Sequence, residues 1–405
     1  MPSKDFDVVI CGGGSAGFCA AVSAARSGAK TALIEKYQTP GGILTVTGNN
    51  SIDQFNNPFR DKDKMVIAGV GWEFVRRLAA YGFADIPDMD AVYRVHNQYG
   101  IKVNPAAASA LMDQMLLEAG VTLLYGQPVV DVRAENGRIN ALLISTKAGL
   151  AEVHAKIYVD CSGDGDISAW AGAAFEAGDG HGGYQPGTLR YYPVGNAVAP
   201  DDFILNFGDN CNHVAGMDAT DSDRLTAAQI AAREAMFEKM LQSKNDGERV
   251  MALAPEAAPR EGRRILGKSY MLAKDYINGT VFDDSVCYSF WFVDIHREDA
   301  PSYIRYITDG STPTIRYSAM LPTGFTNLIT AGRCISSDRE TNSALRVKAS
   351  CMAMGDAAGT AAAIAAAEGI APEQVDITGL KATLAANGCI VPGVTGFRDY
   401  HDMIL

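Results

Sequence analysis

The stretch DFDVVICGGGSAGFCAAVSAARSGAKTALIEK, Asp5 to Lys36, constrains the fold more than any other part of this 405-residue chain. Asp7 to Cys11 is a short apolar run rich in β-branched residues, which reads as a buried parallel strand. Gly12, Gly14 and Gly17 come next at the G-x-G-x-x-G spacing. In that pattern the first glycine makes a tight turn and the second lets a pyrophosphate approach the backbone. The third lets the next helix pack closely on the strand. Ser15 to Ser27 are small and helix-compatible, and Gly28 ends them. The free N–H groups at such a helix start favour a phosphate anion. Thr31 to Ile34 supply a second strand. Glu35 ends it, roughly 20 residues past the glycines, where an acid binds ribose hydroxyls. Strand, glycines, helix, strand and acid in register predict a dinucleotide site.

Length and composition narrow the setting. A chain of this length suggests two or three domains, and 47% hydrophobic residues can fill a large core. A net charge of −12 argues against nucleic acid or an anionic membrane as partner. No apolar stretch reaches transmembrane length, and the N-terminus lacks the basic and apolar regions of a signal peptide. Eight cysteines without a C-x-x-C pair do not make a disulfide scaffold or a zinc site. They suit a reducing cytoplasm, the expected location. Six unclustered histidines give a metal centre little support.

The segment after the ribose acid bears on which dinucleotide is held. Pro40-Gly41-Gly42 lets backbone pass close to a ligand, where an ordinary NAD domain would continue into another strand-helix unit. A helix is expected over roughly Lys62 to Ala80, and another over Asn104 to Ala119. Val121 to Tyr125 reads as a strand. Alternating strands come next, near Val129 to Arg133, Ile139 to Ser145 and Ala151 to Ala155, with Glu135-Asn136-Gly137 as a hairpin turn. AKIYVDCSGDGDIS is a further buried strand ending in Gly163-Asp164-Gly165-Asp166, at the carboxyl end where open α/β sheets bind ligands. Asn327 to Thr330 form a strand running into Ala331-Gly332-Arg333. The last helix, CMAMGDAAGTAAAIAAAEG, is expected to start near Gly355, Asp356 and Gly359, its small residues packing under the sheet. Its N–H groups would then face an electron-rich ligand.

The motifs DVVICGGGSAGFCAA, PGG, VDCSGDGD, PREGRRILGKSYMLAKD, FVDIHR and NLITAGRCISS…RVKASCMAMGDAAGTAAA resemble the FAD-dependent oxidoreductases of the glutathione-reductase-like superfamily. The resemblance is to a bacterial branch related to fumarate-reductase-type and heterodisulfide-reductase-A-type flavoproteins, and it runs from the N-terminus to near Ala363. It implies FAD as cofactor. It assigns the pyrophosphate to Gly12, Gly14 and Gly17 with Ser15 and Ala16, and the adenosine ribose to Glu35 with Lys36. Gly41, Gly42, Val130, Ser162, Gly163, Asp164 and Arg333 join the candidate cofactor contacts, with Gly355, Asp356 and Gly359 at the ribityl chain and ring. The branch often has Gln where Asp356 stands, a departure that leaves the contact made at this position open.

The middle of the chain, roughly Gly182 to Ala319, lacks the βαβ rhythm. RRILGKSYML alternates, with Arg264, Leu266, Lys268 and Tyr270 on one face. SFWFVDIHR places Phe290, Phe292, Asp294 and His296 together. Such a sheet suits a cap over a flavin. Arg260, Arg263 and Arg264 beside Glu261 are either structural ion pairs or a substrate-carboxylate anchor. Arg264, His296 and His181 are the candidate catalytic residues, the histidines because hydride removal from an alcohol or amine needs a proton acceptor. His181 lies in the glycine-rich loop GDGHGGYQPG. Arg339, Asn342 and Arg346 are expected near the cofactor. The PGG segment holds no cysteine, so dithiol chemistry is disfavoured. A second G-x-G-x-x-G unit is missing as well.

The fold class expected is α/β. A discontinuous FAD-binding Rossmann-like domain (1–45, 101–180, 320–405) carries an inserted mixed α/β substrate or cap domain (46–100, 181–319). The expected activity is hydride transfer between a small organic substrate, at C–H next to O or N, and flavin N5, by a dehydrogenase or oxidase. The electrons pass to a small acceptor or to an acceptor protein. A flavin-dependent C=C reductase or desaturase is the alternative enzyme. A non-catalytic relative, or one holding an NAD-derived adduct, is the alternative class.

Overall fold

The computed structural model describes residues 3–57, 61–87, 100–194, 211–242, 249–298 and 300–404. Its centre is a seven-stranded sheet. β1 (Ser3–Cys11) and β2 (Thr31–Glu35) pair in parallel, and β3 (Thr122–Tyr125) extends the sheet beyond β2. On the other side of β1 lies β6 (Gly149–Asp160), then β5 (Arg138–Thr146) and β4 (Val129–Glu135).

β6 joins two segments that the sequence reads as separate strands. It runs parallel to β1 from Ser3↔Glu152 to Cys11↔Asp160. Its first half pairs antiparallel with β5, and its second half pairs in parallel with β7 (Leu328–Thr330). One long strand therefore belongs both to the meander and to the nucleotide-binding sheet. The meander turns where expected, with Asn136 and Gly137 at φ 50° and 72°, the left-handed pair a tight hairpin requires.

Helices cover one face. α1 (Ser15–Arg26) connects β1 to β2; α2 (Val70–Ala80) and α3 (Pro105–Glu118) pack beside it. Asn104 caps α3, its side chain accepting from the N–H groups of Ala106 and Ala107. The strand Asp61–Met65 takes the place of the first turns of the helix expected from Lys62. Residues 65–78, expected with the cap, share one hydrophobic cluster with β1 and α1; Met65, Trp72, Phe74 and Leu78 are all buried in it.

The region expected as a cap forms several small sheets rather than one. Gly187–Val194 pairs antiparallel with Cys211–Val214 and Arg249–Leu253, and α4 (Ser222–Gln242) shares a small core with them through Met236, Leu189 and Tyr191. Only Arg263–Ile265 of the RRILGKSYML run is a strand, paired with Phe175–Ala177. Val293–Ile295 pairs with Tyr303–Arg305. α5 (Arg339–Leu345) and α6 (Lys348–Glu368) return the chain under the sheet. α6 is buried along most of its length and lies on α1.

Candidate active site

A cavity of about 520 Å³ runs between the carboxyl ends of β1 and β6 and the cap. The three motif glycines divide their labour around it. A Cβ on Gly12 (φ +100°) would lie 2.4 Å from the Cys161 carbonyl oxygen, and one on Gly17 would lie 1.7 Å from the oxygen of Gly12. Both positions exclude side chains so that protein can pack on protein. A Cβ on Gly14 would meet no atom within 4 Å, and Gly14 borders the cavity, so the space at this glycine is open to whatever enters. Gly14 is also the N-cap of α1 and supplies no side-chain cap. The first N–H groups of α1 are left to whatever enters, with Ser15 and Ala16 on the wall.

Glu35 borders the same end and is only 5% exposed. Its carboxylate accepts from Gly13 N–H at 2.6 Å and Tyr37 N–H at 2.9 Å. Burial raises its pKa, and those two backbone bonds partly counter the rise. Lys36 lines the wall beside it. Gly42 (φ +49°) folds back until its Cβ would stand 3.3 Å from Gly14 Cα, and it too borders the cavity. Gly41 stands behind the wall, its N–H donating to Gly13 O at 2.7 Å.

Buried Asp160 organises the loop after β6. It accepts from the N–H and hydroxyl of both Ser162 and Ser168. Asp164 then meets Arg333 at 2.6 Å, while Arg333 Nε donates to Gly163 O at 2.7 Å and Nη1 to Pro259 O at 3.1 Å. Burial alone would lower the Arg333 pKa, but Asp164 outweighs it and holds the guanidinium charged. Ser162, Gly163, Asp164 and Arg333 all line the cavity.

Several expected residues lie elsewhere. Gly355, Asp356 and Gly359 sit about two to three turns inside α6, not at its start. A Cβ on Gly355 would lie 2.2 Å from Ala16 O, and one on Gly359 would lie 2.1 Å from Ala20 O, so both serve helix contact. Asp356 is buried against Ser23 Oγ at 2.7 Å and Val70 N–H at 3.2 Å. Burial pushes its carboxyl up to about 7. The residues that bring α6 to the cavity are Val347, Lys348 and Cys351. Val130 is 47% exposed on β4, away from the wall. Buried Arg264 donates to the Ser337 and Gly178 carbonyls and to Glu176, which is a structural role. His181 is exposed on its loop, where its N–H caps Asp179.

His296 does reach the cavity. Its Nε2 lies 3.0 Å from Asp294 Oδ2, its Nδ1 is 3.4 Å from Ser302 Oγ, and its ring is 5.9 Å from that of His213. Burial raises the Asp294 pKa, but the bond to His296 and the nearby charges of Arg346 and Arg260 bring it below the ordinary range. The aromatic wall beside the pair is Trp291, not Phe290 or Phe292. Arg346 borders the cavity as expected, whereas Arg339 stands behind it, clamped on Glu261 at 2.6 and 2.9 Å. Asn342 also stands behind, donating to Arg333 O at 2.6 Å. Of the three neighbouring arginines Arg260 alone lines the wall; Arg263 pairs with Asp166. Thr188, Arg190, Lys102 and Lys348 line it too, and no local sequence pattern marked them.

A sequence model of FAD dependent oxidoreductases matches residues 7–206 and 196–384. The chain belongs to this family. No curated protein matches this FAD-dependent oxidoreductase significantly. Among solved structures it resembles a geranylgeranyl bacteriochlorophyll reductase-like protein from Thermoplasma acidophilum, at 12% identity and TM-score 0.46 over 95% of this chain and 84% of that one. A quinol fumarate reductase from E. coli matches at 14% identity and TM-score 0.44, over 96% and 74% of the two chains. The p-nitrophenol 4-monooxygenase of Pseudomonas putida matches at 12% and 0.46, over 96% and 89%. At these identities and scores they carry no argument about substrate or reaction. The residues present fit FAD. The uncapped α1 start and the open space at Gly14 suit a pyrophosphate, and Glu35 stands where a ribose would be held.

Proposed function

We propose that this enzyme is a dehydrogenase or oxidase that removes a hydride from a small organic substrate at a C–H bond next to oxygen or nitrogen. The observation that carries the reading is the Asp294–His296 pair on the wall of the cavity that also holds the glycine loop. FAD, when bound, supplies the hydride acceptor. The protein's own part is to manage the proton. Asp294 at Nε2 favours the tautomer with its proton there, which leaves Nδ1, now 3.4 Å from the Ser302 hydroxyl, as the atom that takes the substrate proton in its place. The carboxylate also stabilises the imidazolium that forms when His296 takes the proton from the substrate O–H or N–H. Trp291 lines the wall beside the pair. Electrons leave to a small acceptor or to an acceptor protein. The seven described cysteines, all buried and unbridged, support a reducing cytoplasm.

Rapid anaerobic mixing of the yellow holoprotein with panels of alcohols and amines, monitoring the loss of flavin absorption, tests the reading. His296→Asn is expected to retain flavin and to slow reduction by about 10²–10⁴-fold. An undiminished rate in this variant removes His296 as base. Reduction by none of these compounds, with reoxidation of the reduced protein by an activated alkene, replaces the reading with C=C reduction.

A further inference from the structure

Three cations from three separate elements meet on one part of the cavity wall. Arg190 comes from the cap strand Gly187–Val194, Lys102 from the strand Ile101–Val103, and Lys348 from the first turn of α6. Lys348 is 6% exposed, and its Nζ donates to a neutral acceptor, Ser51 O, at 2.6 Å. Burial is the main cause that lowers its pKa to about 8; Asp53 pulls the other way, and Arg190 and Lys102 add to the fall. All four charges are therefore within electrostatic reach, and Asp53 is the acid among them. Thr188 stands two residues before Arg190, on the same face of its strand. It is 6% exposed and lines the cavity, and its hydroxyl has no hydrogen-bond partner among the described residues. A buried unpaired hydroxyl is destabilising unless a ligand completes it.

We propose that Thr188, Arg190, Lys102 and Lys348 form a subsite for the carboxylate of the substrate, which makes the substrate a small carboxylic acid carrying an oxidisable hydroxyl or amine. The inference rests on the hydride-transfer reading for the second half of that description; the carboxylate subsite stands by itself. An arginine fork matches a carboxylate edge, the threonine hydroxyl adds a donor, and two ammonium groups supply charge. Asp53 in the same wall offsets part of that positive charge.

The test is a titration of the FAD-loaded protein with butyrate, butyramide and inorganic phosphate at constant ionic strength, read from the perturbed flavin spectrum. Butyrate is expected to bind saturably and butyramide weakly or not at all. Arg190→Gln and Lys348→Met should each weaken butyrate by about tenfold or more. Thr188→Val, nearly isosteric and safe for folding, should weaken it by a smaller factor while FAD affinity stays unchanged. Equal binding of acid and amide overturns the subsite, as does unchanged butyrate affinity in Thr188→Val and in the charge variants. Preferential binding of phosphate overturns the carboxylate class. Loss of FAD rather than butyrate in the variants assigns these cations to the cofactor and overturns the proposal. His296→Asn leaves this wall intact, so its butyrate affinity is expected to match the wild type whether or not His296 is the base.

Discussion

The two ends of the cavity are built on different principles. The nucleotide end comes largely from one stretch, Gly12 to Gly42, whose glycines and acid lie close in sequence and in space, with the loop after β6 packed on Gly12. The cap end takes Lys102 from one sheet, Thr188 and Arg190 from another, Trp291 to His296 from a third, and Arg346 and Lys348 from the junction of α5 and α6. The first end offers mainly backbone N–H groups and one acid, Glu35. The second is lined by side chains, and the proposed reaction is assigned to it. A backbone site needs its residues in register, whereas a side-chain site needs only that the fold bring them together.

The largest expected effect separates the roles inside the nucleotide end. Gly17→Ala should destabilise the protein by more than about 3 kcal/mol, because its Cβ would strike the backbone oxygen of Gly12. Gly14→Ala, with open space and φ −69°, should leave stability within about 0.5 kcal/mol yet weaken FAD binding by about tenfold or more. Thermal melts of the apoprotein beside flavin fluorescence titrations read both. Equal loss of stability in the two variants breaks the division.

A second effect, of middle size, lies beneath that end. Asp356 has its carboxyl raised to about 7, with burial the first cause. Below the ordinary carboxyl range, both folded and unfolded chains bind the proton. Between that range and about 7 only the folded chain does, so this contribution to stability falls as pH rises through the window and is flat above it. Unfolding free energies from urea titrations between about pH 4 and 8 should fall by a few kcal/mol in total, on the order expected for such a shift. Asp356→Asn should flatten this slope. A variant that keeps the slope puts the titration elsewhere.

The smallest effect belongs to the periphery of the cap. His181→Ala should leave turnover unchanged and stability within about 0.5 kcal/mol, since the side chain is exposed and only the backbone N–H meets Asp179. A large fall in turnover would bring the loop into the site and blur the contrast between the wall and its surroundings.

Much of the nucleotide end was legible because its chemistry is local. Gly12, Gly14, Gly17 and Glu35 stand at spacings fixed by one turn, one helix and one strand, and the family model confirms the cofactor they imply. Gly355 and Gly359 were legible as small residues but not as to what they touch. The sequence does not mark that α6 begins at Lys348, and the contact partner is a different helix. Arg264 and Arg260 look alike in PREGRR, yet one is buried on carbonyls and the other faces the cavity. Alternation along a short strand could not tell them apart, because that run is a strand for only three residues.

By itself the sequence determined the Rossmann-type start, the FAD, the hairpin at Asn136-Gly137 and the presence of His296 beside Asp294. Those features depend on neighbours a few residues away, where backbone geometry and residue type suffice. Only the tertiary structure decided that β6 serves two sheet partners, that Asp356 is a buried helix clamp, and that Thr188, Arg190, Lys102 and Lys348 share a wall. Each of those depends on contacts between residues far apart in the chain, which are fixed by how the whole core packs.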